Sequence, residues 1–89
     1  MRAIVTVTGK DKTGIIAGVS TVLSDSGVNI LDISQTVLSE YFAMIMLVDL
    51  AGCGVSFAQL SDRLSEVGAK MCMDIRIMRE EIFDAMHRL

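Results

Sequence analysis

The sequence predicts an α+β fold, a βαββαβ plait with an antiparallel sheet in strand order 4-1-3-2, both crossover helices on one face and a short C-terminal helix added. Three observations carry this. Runs of period-two patterning rich in β-branched residues alternate with runs of helical spacing, in the order strand, helix, strand, strand, helix, strand. Only Ser39-Glu40 separates the two middle strands, which makes a tight hairpin the economical connection. Each helix links strands of one sheet, and right-handed crossovers in both halves put the two helices on the same side.

In the first strand Ala3, Val5 and Val7 alternate with Ile4, Thr6 and Thr8. Gly9-Lys10-Asp11-Lys12-Thr13-Gly14 then supplies two glycines and a short polar side chain suited to a sharp turn. Ile15, Ile16, Val19, Val22 and Leu23 recur at helical spacing, and Gly27 stands where a C-terminal cap belongs. Asn29 to Leu38 and Tyr41 to Asp49 read as the second and third strands. The third is apolar on both alternating faces, as a central strand buried from both sides would be. Two helices cover only one sheet face, so a second copy, or the tail helix of a neighbour, is the simplest cover for the other. Ser56 with Gln59 three residues later is a capping-box signature, and Phe57, Leu60, Leu64 and Val67 continue one helical face to an expected stop at Gly68. Met71, Met73, Ile75 and Ile77 alternate with Cys72, Asp74, Arg76 and Met78 as the fourth strand. From Arg79 to Leu89, early Glu80, Glu81 and Asp84 and late His87 and Arg88 match a helix dipole. Ile82, Phe83, Met86 and Leu89 form its apolar stripe. The expected organisation is one domain over residues 1–78, and over 79–89 an amphipathic helix packed on the domain or on a partner subunit.

Composition narrows the function. The chain of 89 residues has room for one core, yet 52% of it is hydrophobic, more than a small solvated monomer needs, and self-association is expected. A net charge of -3, a pI near 4.9 and scattered basic residues argue against nucleic acid as partner, because phosphate binding needs clustered Lys and Arg. The longest apolar run, Phe42 to Val48, falls far short of the roughly 20 residues of a membrane span, and no leader-like segment opens the chain. A soluble, cytoplasmic protein is expected. Cys53 and Cys72 lie far apart with no C-x-x-C pair, and read as reduced thiols rather than a disulfide or metal site.

The segments Gly9-Lys10-Asp11-Lys12-Thr13-Gly14-Ile15-Ile16-Ala17 and Gly27-Val28-Asn29-Ile30 resemble the two signature segments of ACT domains, whose fold is the ferredoxin-like plait. The whole chain is similar to a family of free-standing bacterial ACT proteins of about this length, through Ile33-Ser34-Gln35-Thr36, the strand Tyr41 to Asp49 and the ending Ile82 to Arg88. This resemblance implies regulation of amino-acid metabolism, with an amino acid bound between paired domains, the loop after strand one of one facing the start of strand two of the other. Carried over, ligand contacts fall at Asp11, Lys12, Thr13, Gly14 and Ile15, and at Asn29 and Ile30. Thr13 replaces the common proline and gives a less rigid loop. Asp11 stands where some serine-binding members have Asn, adding a negative charge.

A bound amino acid wants N–H donors for its carboxylate and an acceptor for its ammonium. The helix start at Gly14 offers the first and Asp11 the second. By the physics of the residues alone Asp11 reads as the N-terminal cap of helix one, and the family resemblance turns it toward the ligand; Asn29 reads equally as a residue bonding its own local backbone. His87 reads as a helix C-terminal cap, and Met44, Met46, Met71, Met73 and Met78 as adaptable core or interface. Acylphosphatases share the fold class but need an arginine in the first loop, where only Lys10 and Lys12 occur. No Ser/His/Asp set, phosphate-binding glycine pattern or metal loop is present, so no catalytic residue, metal or cofactor is assigned. The expected function is an amino-acid-binding regulatory protein acting as a homodimer or higher homo-oligomer. The alternative is an interaction module that assembles with itself or with a metabolic enzyme without a small molecule.

Overall fold

The computed structural model describes residues 1–87, so Arg88 and Leu89 of the expected tail helix lie outside the described residues. The elements are β1 (Arg2–Lys10), α1 (Ile15–Asp25), β2 (Asn29–Leu38), β3 (Tyr41–Asp49), α2 (Phe57–Met71), β4 (Asp74–Arg79) and α3 (Glu80–Met86). They form one four-stranded sheet, order β2-β3-β1-β4, with every neighbouring pair antiparallel. This is the expected order read from the opposite edge, and the chain has the ferredoxin-like fold.

Register decides the core. Residues directly opposed in an antiparallel pair share a face. Val5 lies opposite Met46 and Ile77, and Val7 opposite Met44 and Ile75, so one inward row crosses three strands. Val19 and Leu23 of α1 and Leu60 and Leu64 of α2 close over this row, all buried. The two helices supply these side chains at helical spacing, which is why each buries a stripe and leaves its other side wet.

Helix α2 departs from expectation. It runs through Gly68 to Met71, and β4 begins at Asp74 rather than at Met71. Gly68 is buried inside the helix, where an added Cβ would lie 2.7 Å from the Met73 carbonyl oxygen and 3.2 Å from Ile75 Cγ1. The glycine admits the close passage of the next strand and does not stop the helix. The stop is Cys72 in the left-handed region at φ 56, where glycine is the usual occupant. The Cys72 and Met73 N–H groups donate back to the Ala69 and Gly68 carbonyls. At the other end Ser56 forms the full capping box with Gln59.

Gly27 closes α1 as expected, at φ 78, with its N–H donated to Ser24 O and that of Val28 to Leu23 O. A Cβ there would lie 2.5 Å from Gly52 O, so neither conformation nor space admits a side chain.

The outer face of the sheet is open over much of β3. Tyr41, Ala43 and Ile45 are exposed, so the burial from both sides expected of this strand is not met within one chain. Helix α3 contacts β1 and β4 at one end, tied by an Arg2–Glu80 ion pair, and Ile4 on that outer face is buried. The expected apolar stripe of α3 is split, with Phe83 half-buried but Ile82 and Met86 exposed. His87 caps the helix, its Nδ1 2.8 Å from Phe83 O and its ring against that of Phe83.

These backbone readings predict opposite effects of two small substitutions. Cys72→Gly should raise stability by about 0.5–1 kcal/mol by relieving left-handed strain. Gly27→Ala should lower it by about 1–3 kcal/mol or more. Midpoints of urea denaturation measure both.

Candidate ligand cavity

Strand β1 ends at Lys10, opposite Tyr41, and the loop that follows is fastened to the β2–β3 hairpin because the Asp11 N–H donates to Glu40 O at 2.7 Å. The hairpin turns through Ser39 at φ 56. Gly14, at φ 86 and ψ 2, swings the chain into α1 and is its N-cap residue, with Gly18 N–H donating to Gly14 O at 2.9 Å. Nothing lies within 4 Å of a Cβ placed on Gly14, so this glycine answers the backbone angle and not a lack of room.

No side chain caps α1. Asp11 is therefore not the helix cap, and the first-turn N–H groups of Ile15, Ile16 and Ala17 have no partner within the helix. Among the described residues neither the Asp11 carboxylate nor the Lys12 ammonium joins an ion pair, and both are exposed.

A cavity of about 400 Å³ opens beside this turn. Ile15 and Phe42, both buried, make its floor, while Asp11, Lys12 and Gly14 make one rim. Ile16 and Ala17 of α1 and Gln35 and Val37 of β2 complete the walls. The register explains the last two, since Gln35 pairs with Met44 and Val37 with Phe42, which puts both on the helix side of the edge strand. An anion-accepting helix start, an acidic and a basic group at one rim and an apolar floor together match a small zwitterion with an apolar side chain.

The expected contacts Asp11, Lys12, Gly14 and Ile15 thus come together. Thr13 is exposed in the turn and does not line the cavity. Asn29 and Ile30 begin β2 at the opposite end of the sheet, Asn29 opposite Asp49, about 26 Å along the strand from the loop at ~3.3 Å per residue. Within one chain they do not meet the loop. Gln35, Val37, Phe42, Ile16 and Ala17 went unassigned in the sequence; the alternation of β2 places Gln35 and Val37 on one face, but only pairing with β3 aims that face at the loop.

The described helices include none long and apolar enough to cross a membrane, and no group of three or more His, Cys, Asp or Glu among the described residues is placed to hold a metal ion.

A family model for the ACT domain matches residues 2–78. The chain belongs to the ACT domain family. A UPF0237 protein of Clostridium acetobutylicum is 54% identical over the full length of both chains. A solved ACT domain protein from Streptococcus pneumoniae superposes with a TM-score of 0.82 at 45% identity, covering 98% of each chain. The regulatory subunit of aspartate kinase from Thermus thermophilus is similar in fold at 23% identity, with a TM-score of 0.66 over 86% of this chain and 50% of that one. The segments that resemble ACT signatures, Gly9 to Ala17 and Gly27 to Ile30, form the turn into α1 beside the cavity and the start of β2.

The geometry separates the two roles read for Asp11. Asp11→Ala should leave stability within about 0.5 kcal/mol, since no cap bond is lost, whereas Gly14→Ala should cost about 1 kcal/mol through its left-handed angle. Thermal and urea unfolding of both variants check this.

Proposed function

We propose that this ACT domain is an amino-acid-binding regulatory protein that acts as a homo-oligomer, with ligand sites between subunits. The observation that carries the reading is the position of the cavity, whose outer wall is β2, an edge strand. That strand is exposed along nearly all of its length, with Val37 52% and Leu38 73% exposed. Natural edges are guarded by charges, proline or cover. Here the ten residues hold one charge, Asp32, and no proline. The second copy adds its own β2 antiparallel to this one, making a continuous sheet. Antiparallel pairing about a twofold axis brings the partner's first β2 residues beside this chain's last, which reunites Asn29 and Ile30 of one subunit with the Asp11–Ile15 loop of the other.

In this arrangement Asp11 accepts from the ligand ammonium. Lys12 and the α1 N–H groups take its carboxylate, and Thr13 lies over the seam. Residues 1–78 form the sensing domain, and α3 (Glu80–Met86), which follows β4, lies against it. Family membership supports a regulatory role, as does the fold shared with the aspartate kinase regulatory subunit. Ligand held at the seam stabilises the assembly by mass action, and a metabolic enzyme that recognises the assembled form receives the signal. The second reading, an assembly module with no small molecule, is favoured by the exposed Ile82 and Met86 of α3 and the open face at Tyr41 and Ile45.

A panel of free amino acids separates the two. The true ligand at ~100 times its Kd should raise Tm by about 10 °C or more. Asp11→Ala should abolish that shift with the oligomer mass unchanged by sedimentation, and Val37→Lys should yield monomers. If no amino acid moves Tm or mass while the oligomer persists, the assembly module is the better description.

A further inference from the structure

The geometry points to a second ligand site, independent of the loop cavity, that takes a short apolar monocarboxylate carrying no ammonium group. A cavity of about 200 Å³ lies at the far end of the molecule, beneath the segment that joins β3 to α2. Leu50, Val55, Phe57 and Leu60 give it apolar walls, Cys53 adds a thiol, and Arg79 stands beside them. By register Arg79 opposes Ala3, whose side chain is in the core, so the arginine lies on the helix side of the sheet. Its guanidinium carbon sits 5.0 Å from the centre of the Phe57 ring.

The walls are held in place before any ligand arrives. Leu50 N–H donates to Met1 O at 2.8 Å, Cys53 N–H to Leu50 O at 3.0 Å and Gly54 N–H to Ser26 O at 2.9 Å. The Cys53 thiol donates to Val55 O. Such fixing removes ordering cost from binding.

Charge and size define the occupant. Among the described residues Arg79 joins no ion pair, and it is the one charged side chain lining the cavity. Met1 also lines the cavity, and its ammonium, 3.9 Å from Asp49 Oδ1, adds a second positive charge at this end. No carboxylate lines the cavity to meet a ligand ammonium, so a zwitterionic amino acid is disfavoured. A guanidinium fork prefers a carboxylate. An apolar cavity of roughly 150 Å³ holds a benzene ring, so this one accommodates a branched chain or ring of similar size with its carboxylate at Arg79.

The test is a ¹H–¹⁵N NMR titration of the full chain with 4-methylpentanoate. Shifts should gather at Cys53, Val55, Phe57 and Arg79 and spare Lys12, Gly14 and Gln35. Arg79→Gln, and separately the uncharged 4-methylpentanamide with the unaltered protein, should each weaken binding by at least about tenfold. In a Cys72→Ser protein, alkylation of Cys53 by iodoacetamide should slow as the carboxylate is added. Absence of shifts at millimolar ligand overturns the proposal, as do shifts centred on the loop cavity or equal binding of acid and amide. Because the amino-acid panel reads the other end of the sheet, either site can fail without the other.

Discussion

The nine-residue pairing of β1 with β3 is the constraint on which the rest of the structure depends. Both are central strands, so their register sets which residues of every other element face inward. A slip by one residue would turn Val5 and Val7 outward and bring Thr6 and Thr8 against Leu23 and Leu64. The same pairing ends with Lys10 opposite Tyr41. It therefore brings the turn into α1 to the β2–β3 hairpin, where the Asp11 N–H reaches Glu40 O. The loop cavity is a consequence of sheet register before it is a consequence of loop chemistry.

Which parts were legible in the sequence follows from whether the deciding force is local. The bounds of β2 and β3 are those expected, because a two-residue connection between alternating runs leaves little freedom of register. The capping box at Ser56 is likewise local and was readable. Gly68 was misread because a glycine that relieves a close approach looks in sequence like a glycine that ends a helix; only the path of β4 against α2 tells them apart. Cys72 occupies the left-handed stop position instead, a place where sequence gives a thiol no distinguishing mark. The candidate site divides in the same way. Gly14 and Asp11 belong to one turn and could be found by reading along the chain. Gln35 and Val37 are wall residues through their pairing with Met44 and Phe42, a nonlocal fact. As candidate ligand contacts, Asp11 and Asn29 rest on family resemblance and not on the physics of their neighbourhood alone.

The two cavities differ in what they can neutralise. At the loop, Asp11 and Lys12 offer both signs beside free helix N–H groups, and a zwitterion satisfies all three. At the other end, Arg79 stands over apolar walls with no acidic side chain among them, and a plain carboxylate suffices. Desolvation sharpens the difference, because an ammonium moved from water into the second cavity would lose its hydration and gain no acceptor of opposite charge. Ligand class is thus argued from the balance of charge at each rim, which is a stronger discriminator than size in cavities this small.

The proposed assembly rests on where the apolar residues go once the core is full. The inward rows of β1, β3 and β4 and the buried stripes of α1 and α2 fill the space between sheet and helices, and Leu31, Ile33, Val37, Leu38, Tyr41 and Ile45 remain outside it. All six lie on β2 and β3, Ile33 and Val37 toward the helix side and Leu38, Tyr41 and Ile45 on the outer face. A domain this small buries only about 60% of the surface its unfolded chain exposes, so its margin of stability is narrow. Burying one such side chain fully is worth about 1.5–3 kcal/mol. Even partial cover of several of them is comparable with the whole ~5–15 kcal/mol stability of an ordinary domain. Edge-to-edge pairing would add ladder hydrogen bonds to groups that otherwise face water. A ligand seated against Val37 would then border the surface from which the assembly draws its stability, which is where a small molecule can shift a subunit equilibrium with few contacts of its own.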